Sequence, residues 1–223
     1  MIRHKSVLFG NDSEAIDILI DIHCETLDPY ILDCTYNKGV MWKKTIKKPL
    51  ATDINPLYKT DIIADFTTLP FKADSFDVIV FDPPHIPSDA ASKNASKLWY
   101  DRYGITEDES GLRTGDNVNG QFYPFLIESQ RVLRHGGLVL AKIADIIHNH
   151  KYQWQHVALI NDAVALGMQP CDMLIKTTPS SGNMISGKWE NVYHLRRSHS
   201  YWIVIRNASY DERKNKDKFK KNS

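Results

Sequence analysis

Short apolar runs alternate with amphipathic stretches along the chain, and this alternation sets its predicted elements. Ser6 to Phe9 reads as a short extended segment. Beyond it Ala15, Ile16, Ile18, Leu19 and Ile22 recur at helical spacing, and Asn11 with Glu14 fits a capping box, which predicts a helix over roughly 12–26. Asp28-Pro29 breaks that helix. Tyr30 to Cys34 reads as a first buried strand, Val40 to Lys44 as the opening of a helix, Leu50 to Ile54 as a second strand and Asp61 to Asp65 as a third. Phe76 to Phe81, the fourth, is an almost unbroken apolar run, as expected of a strand covered on both faces.

The pattern then dissolves. From Ile86 to Gly120 the chain is rich in Ser, Asn, Asp and Gly, long enough for a lid or a binding loop. A helix is predicted over Phe122 to Leu133, closed by Arg134-His135-Gly136-Gly137 as cap and turn. Leu138 to Ile143 is a fifth strand, Tyr152 to Leu166 an amphipathic helix closed by Gly167, Asp172 to Thr178 a sixth strand, and Ser200 to Arg206 a last one after a Ser/Gly-rich loop at 179–187. Strands alternating with helices predict an α/β fold, a doubly wound and mostly parallel sheet. We expect a single domain over 1–207, with a charged tail at 208–223 whose lysines predict disorder.

Composition narrows the classes only slightly. A hydrophobic content of 42% and a charged content of 25% are ordinary for a globular chain, and a net charge of +1 removes any global attraction to nucleic acid, leaving local patches. The three cysteines are far apart with no C-x-x-C pair, so neither a disulfide framework nor a zinc knuckle is predicted. No run approaches the ~20 apolar residues that span a bilayer, and no signal-peptide core follows Met1, so a cytoplasmic protein is expected.

Position is what carries chemistry here. Four successive strands end in an acid: Asp33, Asp53, Asp65 and Asp82. The carboxyl ends of the strands are where open α/β sheets bind ligands, so acids repeated there line a site. Behind Asp82 stand Pro83 and Pro84, which fix φ and lack N–H groups, ending the strand and leaving rigid carbonyl acceptors.

This order of turn, acid, acid and Asp-Pro-Pro resembles the class I S-adenosylmethionine-dependent methyltransferases, and within them the DNA amino-methyltransferases that make N6-methyladenine or N4-methylcytosine. Their hallmark places Asp, Asn or Ser before Pro-Pro-aromatic; here Asp82-Pro83-Pro84 matches and His85 takes the aromatic place. The resemblance implies a Rossmann-like, seven-stranded sheet whose last strand, Ser200 to Arg206, runs antiparallel. It implies that Asp33, Thr35 and the loop through Gly39 hold the methionine end of S-adenosylmethionine, although the family's Gly-x-Gly is reduced here to Gly39. Asp53 would take the ribose hydroxyls, Asp65 the adenine amino group, and Phe66 the edge of the adenine ring.

An exocyclic amino nitrogen is a weak nucleophile because its lone pair is delocalised into the ring. By the resemblance, the Asp82 carboxylate and the Pro83 carbonyl each accept one amino hydrogen, Pro84 stiffens the step, and His85 stacks on a base taken out of the duplex. Trp99, Tyr100 and Tyr103 of the long loop would assist that stacking. Arg196 and Arg197, in Tyr193-His194-Leu195-Arg196-Arg197-Ser198-His199, would contact phosphates.

His148-Asn149-His150 with His156 and Asp145 invites a metal or nuclease reading, but a polar link between a strand and a helix explains it, and no metal is expected. The expected activity is methyl transfer to an amino group of a DNA base, adenine N6 preferred. N4 of cytosine, an RNA base, a small-molecule acceptor and a non-catalytic nucleic-acid-binding module are the alternatives.

Overall fold

All six residues of Phe76–Phe81 are buried, and the strand they form lies at the middle of the molecule. The structure is a computed structural model, and it describes residues 4–84, 120–148, 151–177, 194–195 and 198–208. In chain order the elements are β1 (Val7–Phe9), α1 (Asp12–His23), β2 (Ile31–Asp33), a 3-10 turn (Val40–Trp42), β3 (Leu50–Asp53), β4 (Ile62–Ile63) and β5 (Phe76–Phe81). They continue with α2 (Phe122–Val132), β6 (Leu133–Ile143), β7 (Ile146–His148), β8 (Lys151–Gln153), α3 (Gln155–Ala165), β9 (Gln169–Thr177) and β10 (His199–Arg206).

The sheet runs β1-β9-β10-β6-β5-β2-β3-β4, and β10 alone is antiparallel to its neighbours. From β2 the chain winds outward through β3 and β4, then returns to β5 on the other side of β2. This makes the β2–β5 boundary the topological switch point, where a crevice opens beyond the strand ends.

Strand alternation splits the apolar run of β5 between two cores. Val78 and Val80 pack with Ala15, Ile16, Leu19 and Ile20 of α1, while Ile79 and Phe81 pack with Phe125 and Leu126 of α2 and Leu159 of α3. Phe81 stacks on Phe125 with centroids 3.7 Å apart. Helices on both faces explain why the strand reads as continuous rather than alternating.

Several boundaries differ from the sequence reading. Among the described residues the sheet has eight strands, because Val7–Phe9 pairs in parallel with β9 at the edge. Helix α1 is capped as expected, the Asn11 side chain accepting from Glu14 N at 3.1 Å, but it ends at His23. Arg134 to Gly137 belong to β6 and are not a turn; Gly136 takes φ 82, and a Cβ on Gly137 would lie 2.9 Å from Arg134 O. Lys151 to Gln153 form a hairpin with Ile146–His148 ahead of α3, so the link after β6 is structured. Val40–Trp42 is one 3-10 turn. The loop 86–119, the Ser/Gly-rich segment 179–187 and the tail from 209 lie outside the described residues. Among those described, no helix is long and apolar enough to cross a membrane.

Candidate functional site

Beyond the ends of β2, β3 and β5 lies a cavity of about 380 Å³. Its walls include Thr35, Asp53, Phe66, Asp82, Pro83, Pro84 and Lys142. The switch point is stitched directly across: Asp82 N donates to Thr35 Oγ1 at 2.7 Å, tying the end of β5 to the loop after β2. That bond fixes where the Asp82 backbone turns away from the sheet, and the two prolines keep it there.

Asp33 is fully buried behind this wall. Its carboxylate accepts from Thr35 N at 2.9 Å and from Trp42 Nε1 at 2.6 Å, so it anchors both ends of the loop that forms the cavity floor. Burial pushes its pKa from 3.8 to about 7, against the pull of these two donors. Gly39 closes the loop at φ 60, in the left-handed region, where a Cβ would collide with the Tyr36 ring. The Cys34 thiol is also pushed up by burial, which removes it as a nucleophile.

Asp53 faces the cavity. Its two oxygens accept from Asn37 N at 2.8 Å and Asn55 N at 2.9 Å, and burial raises its pKa. Asp65 turns away instead: its Oδ1 accepts from Thr67 N and Thr67 Oγ1, both at 2.8 Å, which builds the turn that presents Phe66.

Asp82 belongs to a charge network that spans the strand ends. Lys142 Nζ lies 3.1 Å from Asp82 Oδ2 and 3.2 Å from Asp12 Oδ2. Lys176 Nζ reaches Asp12 at 3.2 Å, and Trp202 Nε1 donates to Asp12 Oδ1 at 3.3 Å. Burial works against the Lys142 charge, but Asp82 and Asp12 outweigh it and hold its pKa above the ordinary lysine value. The ammonium therefore stays charged and keeps the Asp82 side chain directed toward β6.

Of the residues expected at a site, Thr35, Asp53, Phe66, Asp82, Pro83 and Pro84 come together around the cavity. Asp33, Gly39 and Asp65 stand behind its lining and shape it through hydrogen bonds and backbone geometry. His85, Trp99, Tyr100, Tyr103, Arg196 and Arg197 lie outside the described residues. Sequence reasoning missed Lys142, although a lone lysine inside Leu138-Val139-Leu140-Ala141-Lys142-Ile143 was a usable signal, since a buried strand holds a charge only when a partner waits. It also missed Asp12, which gave no signal, its partners lying up to 190 positions away. Among the described residues no group of three or more His, Cys, Asp or Glu side chains is placed to hold a metal ion.

No protein-family model matches the chain, and no curated protein sequence matches it. Solved structures do match in fold. The cyclase SpnF superposes with a TM-score of 0.52 at 11% identity, over 89% of this chain and 82% of that one. A candidate methyltransferase from Bacillus halodurans C-125 gives 0.51 at 12% identity, over 88% of this chain and 100% of that one. A candidate DNA modification methylase from Thermus thermophilus, complexed with S-adenosyl-L-methionine, gives 0.42 at 14% identity over 63% of this chain. The chain spans about half the length of that protein, 49% of it being covered. The fold is thus the doubly wound α/β sheet that the cyclase and the Bacillus protein share.

Proposed function

We propose that this chain is an S-adenosylmethionine-dependent methyltransferase that acts on an exocyclic amino nitrogen of a DNA base, adenine N6 preferred. The observation that carries the reading is Asp82-Pro83-Pro84 at the end of β5, lining the switch-point cavity opposite Asp53 and Phe66.

The donor set fits the cofactor. A cavity of about 380 Å³ is of the size that holds small ligands. The Asp53 carboxylate, fixed by two backbone N–H groups, is an acceptor for vicinal ribose hydroxyls. Phe66, Val40, Met41 and Ile54 supply apolar surface for a purine ring. Thr35 and the loop shaped by Asp33 and Gly39 would hold the amino-acid end. When bound, S-adenosylmethionine supplies an electrophilic methyl group on a sulfonium centre.

The chain's own residues position the acceptor. The Asp82 carboxylate offers about four lone-pair sites, so its pairing with Lys142 is compatible with accepting an amino hydrogen. The Pro83 carbonyl accepts the second hydrogen, and the two contacts draw the nitrogen lone pair out of conjugation and toward the methyl group. This is orientation and electrostatics with no covalent enzyme intermediate. Lys142 acts at one remove, by holding Asp82 in place.

Titration calorimetry with S-adenosylmethionine, run on the wild type and on Asp82→Ala, tests the assignment. Both proteins should bind the cofactor with affinities within about threefold, while turnover on unmethylated DNA falls roughly 10²–10³-fold in the variant, the usual cost of removing one preorganised polar contact at a reacting centre. No cofactor binding by the wild type would end the enzymatic reading and leave a nucleic-acid-binding module.

A further inference from the structure

We propose that Asp12, at the start of α1, is a positioning residue for methyl transfer: through Lys142 it sets where the Asp82 carboxylate stands against the acceptor nitrogen. This rests on the reading above and gives the acceptor half of the site a support that reaches across four strands.

Side-chain alternation builds that support. On β5, Val78 and Val80 face α1, and Asp82 follows two positions on. On β6, Leu138 and Leu140 face α1 and Lys142 follows them; on β9, Leu174 is followed by Lys176. Trp202 of β10 stands between, opposite Lys142 on one side and Leu174 on the other. Asp82, Lys142, Trp202 and Lys176 thus form one row across β5, β6, β10 and β9, at the end of the sheet where the cavity opens.

Asp12 closes the row from the helix side. It meets the Lys142 and Lys176 ammonium groups at 3.2 Å each and accepts from the Trp202 indole at 3.3 Å, and Lys142 in turn reaches Asp82 at 3.1 Å. The four charged side chains are between 13% and 23% exposed, so solvent screens them little. Stability alone is a poor reason for such a row. Packed apolar side chains hold strands together at least as well as buried ion pairs do, and Leu138, Leu140 and Leu174 already do so on this face. What the row adds is an ammonium fixed at the cavity wall.

That ammonium carries three donors and no acceptor on a flexible stem. Asp12 draws part of its donor capacity away from Asp82 and holds Nζ back toward α1. Without the Asp12 charge, Lys142 turns to Asp82 and to the cavity it lines, where it competes with the amino hydrogens for the carboxylate. The acceptor is then misplaced although Asp82 and Lys142 are both intact.

Asp12→Asn, which keeps the shape and removes the charge, tests this in two ways. The first needs no substrate: brief acetylation with acetic anhydride, mapped by mass spectrometry, compares Lys142 with exposed Lys72. Asp12 is one of the two carboxylates that hold the Lys142 pKa up. The variant should therefore acetylate Lys142 roughly threefold faster or more relative to Lys72, and Asp12→Glu should not. The second is kinetic. On unmethylated DNA, kcat should fall roughly ten- to a hundredfold. The KM for DNA and the calorimetric affinity for S-adenosylmethionine should stay within about threefold. Asp12→Glu should recover most of kcat, and Asp12→Asn added to Lys142→Met should lower it little further. Asp12→Ser carries the same predictions should Asp12→Asn fail to fold, with melting temperature as the check. Unchanged Lys142 acetylation, cofactor affinity falling along with kcat, or additive losses in the double variant would overturn the role of Asp12 while leaving the methyltransferase reading intact. Wild-type protein that binds cofactor but methylates no DNA would overturn the proposed acceptor and this inference with it.

Discussion

The two sides of the switch point hold their acids in opposite ways. On the β2–β3 side Asp33 and Asp53 are held by neutral donors, the N–H groups of Thr35, Asn37 and Asn55 and the Trp42 indole. On the β5–β6 side Asp82 and Asp12 face the ammonium groups of Lys142 and Lys176. Neutral donors orient a carboxylate without cancelling its charge, so the first side suits a ligand that brings its own cation and hydroxyl groups. Ion pairs fix a carboxylate in place, so the second side suits the orientation of a neutral acceptor.

Breaking the charged side should produce the largest effect. Lys142→Met leaves Asp82 without this cation and Asp12 with Lys176 and the Trp202 indole. Loss of one member of a buried pair costs about 3–5 kcal/mol, readable as a lower urea midpoint. Because the Lys142 pKa is raised from 10.5, its contribution is present below that pH and is lost as pH climbs beyond it. The wild type should therefore converge on the variant only in strong alkali.

The neutral side should show its pH dependence in a much lower window. Asp33 ionises near 3.8 in the unfolded chain and near 7 when folded, so folding takes up a proton between those values and stability falls as pH rises through that window. One pH unit corresponds to about 1.4 kcal/mol, giving a total decline on the order of 4 kcal/mol at most. In Asp33→Asn, denaturant unfolding at pH 5, 6 and 8 should lose this slope, even though the amide cannot accept from both Thr35 and Trp42.

Smaller effects sharpen the division of labour within the cavity. Asp53→Ala should weaken S-adenosylmethionine binding roughly ten- to a hundredfold by calorimetry, the worth of one or two hydrogen bonds to a charged group. Asp65→Ala, whose side chain serves its own turn, should change that affinity far less. Thr35→Val removes the acceptor for Asp82 N and should cost about 1 kcal/mol, seen as a several-fold drop in kcat together with a several-fold weaker S-adenosylmethionine affinity, since Thr35 also lines the cofactor cavity.

The same contrast explains what the sequence disclosed. The β2–β3 side was legible because its acids sit at the ends of short apolar runs and are held by neighbours two to sixteen positions away, as Asp33 with Thr35 and Asp53 with Asn37. The charged side was not, because Asp12, Lys142, Lys176 and Trp202 meet only after the sheet is assembled. Element types were readable from periodicity, but β1 was only a faint extended segment. The β7–β8 hairpin was hidden by polar residues that look like a loop, and Arg134–Gly137 looked like a turn because two glycines outweighed the pairing of β6 with its neighbours.

Isotopically labelled methyl transfer to unmethylated DNA, with nucleosides resolved by mass spectrometry, tests the central claim most directly. The account predicts label in N6-methyladenine with the wild type and none above background with Asp82→Ala. Label on a ring carbon or a ribose hydroxyl, or equal label with Asp82→Ala, would contradict it.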